Sequence, residues 1–166
     1  QALNIDIIPT FLGAHAIPEE YSSDKYIDII CNEMIPRISE EKLAVFCDVF
    51  CEDGYFSIDQ SRKILETAKS FGLIPRVHAD EFKCFGASKL AAEVGAVSAD
   101  HLMVINSDGM KSLAKSGTVA TLLPGTTFFL NKGKYANGRR LMDNGCFVAL
   151  ASDFNPGTCT IRSLPN

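Results

Sequence analysis

The sequence has no run of 18 apolar residues, which excludes an ordinary membrane-spanning helix. It has no excess of positive charge either. Sixteen Lys and Arg stand against 20 Asp and Glu, a net charge of -4, so nucleic acid, which needs a basic face, is not an expected partner. No basic stretch followed by an apolar one opens the chain; no secretory signal is read, and a cytoplasmic location is expected. A starting Met is missing too, and Gln1 leads almost at once into an apolar run, which sets up the expectation of a cut through a longer chain. No CxxC pair and no zinc-ribbon spacing occur among the six cysteines. Cys47 and Cys51 would share a face only on an unbroken strand, and reduced core thiols are expected. GxGxxG, GxxxxGK[ST] and GxSxG are all absent, so phosphate-cradling turns and a serine-hydrolase elbow lack support. Histidine is scarce, with His15, His78 and His101 alone.

What is present is a regular alternation. The 166 residues, 46% of them hydrophobic, suit one domain spanning 1–166 with a real core. Strand-like runs are read in "LNIDIIPTFLGA", "LAVFCDVFCE", "LIPRVHA", "AVSADHL", "TVATLLPG" and "FVALASD". Helical spacing separates them. Tyr26, Ile29, Ile30 and Met34 share a face until Pro36 ends or kinks the helix. Ser57 and Gln60 form a capping box, and Gly72 stops that helix. Ser107 is read as the cap of "SDGMKSLAKSG". Six strands in strict alternation with helices predict a parallel sheet with crossover helices.

The polar residues collect at the C-terminal ends of these strands: His15, then Asp48 and Glu52, then His78 with Asp80 and Glu81, then Asp100 and His101, then Thr126 and Thr127, then Asp153 and Asn155. In a barrel those ends converge on its mouth, where barrel enzymes keep their sites. With no glycine-rich phosphate turn, a barrel is favoured over an open doubly wound sheet. Six strands do not close a (β/α)8 barrel, so the expected fold is α/β, a partial TIM-type barrel.

Histidine and carboxylate at strand ends suit a metal site, and a bound metal lowers the pKa of its water to about 7. His78, Asp153, Glu81 and His101 are the candidates. Plainer readings exist for each. A lone His after a strand is more often a hydrogen-bonded loop residue, Asp153 in "SDFNPG" suits a turn, Glu81 suits solvent, and "LLPGTT" suits a simple βα turn. Phe128, Phe129 and Tyr135 read as packing, Arg139 and Arg140 as a solvated helix face.

"TFLGAHAIPEEY", "HADEF", "ADHL", "LLPGTTFFL" and "SDFNPGT", in this order and spanning nearly the whole chain, closely resemble imidazolonepropionase, a metal-dependent family of the amidohydrolase superfamily. The resemblance implies a (β/α)8 barrel of which strands three to eight are present. It implies hydrolysis of the ring amide of 4-imidazolone-5-propanoate to N-formimino-L-glutamate in histidine degradation, with one divalent metal, zinc or iron. It implies that His78 and Asp153 bind the metal and that Glu81 contacts the substrate ring and positions or activates water. His101 would shuttle a proton or face the oxyanion, and His15, Asn155, Gly157 and Thr158 would hold substrate. The family's HxH pair of metal ligands does not occur, so the chain by itself is expected to bind metal weakly without turnover. The expected partner is a small-molecule substrate, with no membrane and no nucleic acid; a homodimer is compatible with the sequence. Two other readings share these residues: a different amidohydrolase, such as a deaminase of a purine-like ring or a cyclic amidase, and a non-catalytic barrel piece holding half a metal site.

Overall fold

A computed structural model describes residues 4–163. Gln1 and Leu3, which the sequence reading placed in the first strand-like run or just ahead of it, lie outside them.

Six parallel strands form one sheet: β1 (Thr10–Ala14), β2 (Phe46–Cys51), β3 (Ile74–Ala79), β4 (Ser98–His101), β5 (Val119–Leu122) and β6 (Val148–Leu150). Their order in the sheet is their order in the chain. There is therefore no point where the strand order reverses, as there would be in a doubly wound sheet. Every crossover runs the same way, and right-handed crossovers of constant direction stack all helices on one face. The sheet is part of a (β/α)8 barrel with its helices outside.

The helices are α1 (Ser23–Ile29), α2 (Ile35–Glu40), α3 (Ile58–Ser70), α4 (Ala87–Glu93), α5 (Ser107–Ser116), α6 (Pro124–Phe129) and α7 (Gly138–Asp143). A π-helical turn, Ile30–Met34, joins α1 to α2. It explains how Pro36 is tolerated. Proline lacks an N–H and crowds the carbonyl four residues back, and the wider turn places Pro36 in the first turn of α2, where no donor is needed. The capping box at Ser57 and Gln60 forms as read. The cap of α5 is Asn106 rather than Ser107: the Asn106 side chain accepts from Gly109 N–H at 2.8 Å, so the helix starts one residue earlier.

Period-2 alternation divides the strands between two environments. Cys47, Val49, Cys51, Val77, Ala79, Ala99 and Ala120 point under the helices and are buried against Ile64, Leu65, Leu90 and Leu113. Cys47 and Cys51 sit on the one unbroken strand, both buried thiols pushed up to about 12 by burial, and all six cysteines are free. The opposite face carries Asp48, Arg76, His78, Asp100 and Thr121 in adjacent register. Gly109 lets α5 approach α4, since a Cβ there would lie 2.3 Å from Ser88 Oγ.

Three expectations change. The first strand begins only at Thr10, and Ile5, Ile7 and Ile8 are exposed. Pro9 interrupts the run, its carbonyl taking the Val45 N–H just where pairing begins. "LLPGTT" opens α6, because proline suits the first helical turn. Phe128, Phe129 and Tyr135 are exposed rather than packed, whereas Arg139 and Arg140 are on a solvated face as read. No helix among the described residues is long and apolar enough to cross a membrane.

Candidate functional site

The three histidines, 15, 78 and 101, meet at the C-terminal edge of the sheet. The rings of His15 and His78 are 4.5 Å apart edge-on, and those of His78 and His101 are 5.0 Å apart. They line one cavity of about 350 Å³ together with Glu81, Asp153, Asn155 and Thr158. A second cavity of about 250 Å³ adjoins it on the inner face of the sheet, sharing His78 and Asp153 and walled by Asp48, Arg76 and Asp100. Of the eight residues to which the resemblance gives a site role, Gly157 alone does not line the main cavity. Its N–H and that of Thr158 go to Asn155 Oδ1, at 2.9 and 2.7 Å, making a compact turn whose Asn155 Nδ2 donates to the Asp153 carbonyl.

Backbone conformation aims these groups. Asp100 and His101 are consecutive, so alternation would send them to opposite faces. His101 adopts φ 74° and breaks the alternation at the strand end. Asp80 and Asp153 also adopt left-handed φ, 48° and 53°. For non-glycine residues such values are uncommon and cluster where surrounding contacts over-determine them.

Among the residues that sequence reading left without a role are three buried carboxylates. Asp48 is buried and accepts from His78 Nδ1 at 2.8 Å and His15 Nε2 at 3.1 Å. Glu52 is buried. Its Oε2 accepts from the Phe82 and Lys83 amides at 2.9 and 3.3 Å, and its Oε1 from Asp53 N–H, so it ties the end of β2 to the loop that carries Glu81. Asp80 accepts from the amides of Phe85, Gly86, Ala87 and Ser88 and from Ser88 Oγ, closing the same loop onto the start of α4. The "HADE" stretch signals the strand end, but which acidic side chain turns inward is set by contacts distant in sequence.

The electrostatics separate the titratable groups. Burial pushes the Asp48 carboxyl up, but the two imidazoles outweigh it and hold it well below the usual carboxylate range. Burial likewise depresses His78, yet the charge and hydrogen bond of Asp48 raise it to about 9. His101 is held down to about 3, first by burial and then by the charge of His78, so it is neutral; its Nδ1 has no hydrogen-bond partner and lies 3.6 Å from Glu81 Oε1. Burial, reinforced by Asp153 and Glu52 against the opposing pull of His78, raises Glu81 to about 7. Glu81 is thus enclosed rather than solvated.

The Glu81 displacement has a sign that can be checked. The folded protein keeps the Glu81 proton up to about pH 7, whereas the unfolded chain loses it near 4.5. The folded state therefore binds more protons in that window, and its stability falls as pH rises through it. In metal-free urea unfolding, the stability of Glu81→Gln relative to the parent is expected to grow by roughly 2 kcal/mol between pH 4.5 and pH 7. Parallel pH profiles for the two proteins would mean that Glu81 is in contact with bulk water.

His15, Asp48 and His78 offer ligand atoms that all lie within 4.8 Å of one another, a mixed imidazole–carboxylate set of the kind that suits zinc or iron. Asp153 faces the same cavities; its carboxylate accepts from Thr126 Oγ1.

Solved structures share this class of fold. Guanine deaminase from C. acetobutylicum superposes with a TM-score of 0.65 at 12% identity, over 90% of this chain and 40% of that one. The 5-methylcytosine deaminase of Klebsiella pneumoniae gives 0.64 at 16%, over 90% and 41%. At such identities the likeness is one of fold alone. No family model matches the chain. Curated relatives narrow the class: "Imidazolonepropionase" of Bacteroides fragilis is 53% identical over 99% of this chain, and that of Alkaliphilus metalliredigens 50% over 96%. The chain belongs to the imidazolonepropionase family, and it spans about 40% of the length of the curated relatives it matches.

Proposed function

We propose that the protein carrying this chain is a metal-dependent hydrolase that opens the ring amide of 4-imidazolone-5-propanoate to N-formimino-L-glutamate, a step of histidine degradation in the cytoplasm. The observation that carries the reading is the convergence of His15, His78, His101, Glu81 and Asp153, from the ends of four strands, on one cavity. The names of relatives about half identical over nearly the whole chain supply the substrate.

In this reading one divalent ion, zinc or iron, is held by His78 and Asp153. Such an ion would lower the pKa of a water molecule there to about 7. Glu81 takes the proton of the attacking water; a carboxyl displaced to about 7 is matched to that task near neutrality. Neutral His101 donates a hydrogen bond from its ring to the carbonyl oxygen as negative charge develops there, and the proton that Glu81 took from water goes on to the leaving nitrogen. His15, with Asn155, Gly157 and Thr158 from the turn after β6, holds the propanoate carboxylate. Residues 1–166 act as one part of a single barrel domain, and the partner is a small molecule, with a homodimer as the assembly to look for.

The test is a substrate panel offered to the zinc- or iron-loaded protein as its source makes it. Loss of 4-imidazolone-5-propanoate with release of N-formimino-L-glutamate is expected, and guanine, adenosine and 5-methylcytosine should stay intact. Deamination of any of these bases without imidazolone ring opening would sink the assignment in favour of a deaminase.

A further inference from the structure

Asp48 lies on β2, next to the strand that carries His78, and is almost wholly buried. A single oxygen of it, Oδ1, receives both imidazoles, and it receives them through different nitrogens: Nδ1 of His78 and Nε2 of His15. Its other oxygen is 4.0 Å from Arg76 Nε, and Arg76 in turn donates to Asp100 Oδ2 at 2.9 Å. The carboxylate is thus fixed from below and clasps two rings from above.

A carboxylate can only accept, so each ring must place a proton on the nitrogen it turns toward Asp48. The nitrogens left over are Nε2 on His78 and Nδ1 on His15. Which nitrogen of a metal-binding histidine is available is set by the bond the other one makes.

We propose that Asp48 is the positioning residue of this site: it holds His78 with Nδ1 protonated and Nε2 turned outward for the metal, and His15 with Nε2 protonated and Nδ1 free for the substrate. The second half of each clause rests on the hydrolase reading above. The protonation pattern does not. Asp48 acts from behind the two rings, through the nitrogens they turn toward it, and is not itself a ligand.

The scarcity of histidine makes this measurable, because ¹⁵N-histidine labelling of this chain reports on only three rings. In the metal-free protein, long-range ¹H–¹⁵N spectra are expected to show two protected, downfield ring protons, on His78 Nδ1 and His15 Nε2. Adding zinc should leave the His78 Nδ1 proton in place and shift Nε2. In Asp48→Asn both protected protons should move upfield or exchange away. Zinc affinity, measured by competition with a chelator, should fall about ten- to a hundredfold. Disappearance of the His78 Nδ1 proton on adding zinc would overturn the proposal, since the ion would then occupy the side facing Asp48. So would protected protons that Asp48→Asn leaves unchanged. The zinc titration needs no variant, so it decides the matter even if Asp48→Asn does not fold. If the proton pattern holds but zinc does not bind even to the whole protein that carries this chain, Asp48 keeps its positioning role and the metal-hydrolase reading fails instead.

Discussion

Replacing Asp80 with alanine is expected to destabilise the protein by about 3–5 kcal/mol, among the largest single-residue effects a chain of this kind shows. The side chain is wholly buried and accepts from four consecutive backbone amides and the Ser88 hydroxyl. Those amides sit at and just before the N-terminus of α4. The Gly86 cap position has no side chain of its own, so Asp80 stands in as the cap from across the loop. Alanine would leave these donors enclosed without an acceptor, each lost partner costing about 1–3 kcal/mol if nothing relaxes. It would also have to adopt the φ of 48° that Asp80 holds, which alanine tolerates worse than Asp or Asn. Asp80→Asn keeps one acceptor oxygen and the backbone preference, so about half the loss is expected. Urea midpoints at unchanged slope measure both. If Asp80→Ala and Asp80→Asn lost equally, the amides would have found water, and the loop would be open rather than closed.

In the whole protein, replacing His78 with alanine is expected to lower zinc affinity by at least about a hundredfold and, on the proposed function, to remove hydrolysis with it. Loss of a group that merely orients a ligand costs roughly ten- to a hundredfold in affinity, and loss of a ligand cannot cost less. The substitution also leaves Asp48 buried with His15 and Arg76 as its remaining partners. Part of the effect would therefore be structural. His78→Asn separates the two contributions, because its amide still offers Asp48 a donor but is a far poorer metal ligand. Stability near that of the parent with zinc affinity as low as in His78→Ala is the expected pair of results. Undiminished zinc binding in both variants would place the ion on other groups and remove His78 from the metal centre.

Much of the architecture was legible because it rests on local signals. Alternating apolar residues marked β2 to β5, and the capping box at Ser57 with Gly72 beyond it bounded α3. The regular spacing of strands and helices implied parallel pairing. The readings that failed were also local: Pro9 shortened the first strand, Pro124 started a helix where a turn was expected, and Asn106 rather than Ser107 capped α5. Neighbouring residues compete for such positions by a fraction of a kcal/mol to about 1 kcal/mol, which sequence patterning does not resolve.

The sequence by itself determined the layered α/β plan and the placement of all three histidines, Glu81 and Asp153 at strand ends. Periodicity and chain order dictate both: in a parallel sheet every strand ends at the same edge. Its motifs also pointed to the family that the relatives bear out. Only the tertiary structure decided which carboxylates work behind the site. Asp48, Glu52 and Asp80 look alike in the sequence, each an acid at a strand end. Folding buries all three and gives each a different set of donors, from residues one to 33 positions away. A buried carboxylate takes its role from the donors that surround it, and those donors are brought together by packing rather than by sequence proximity.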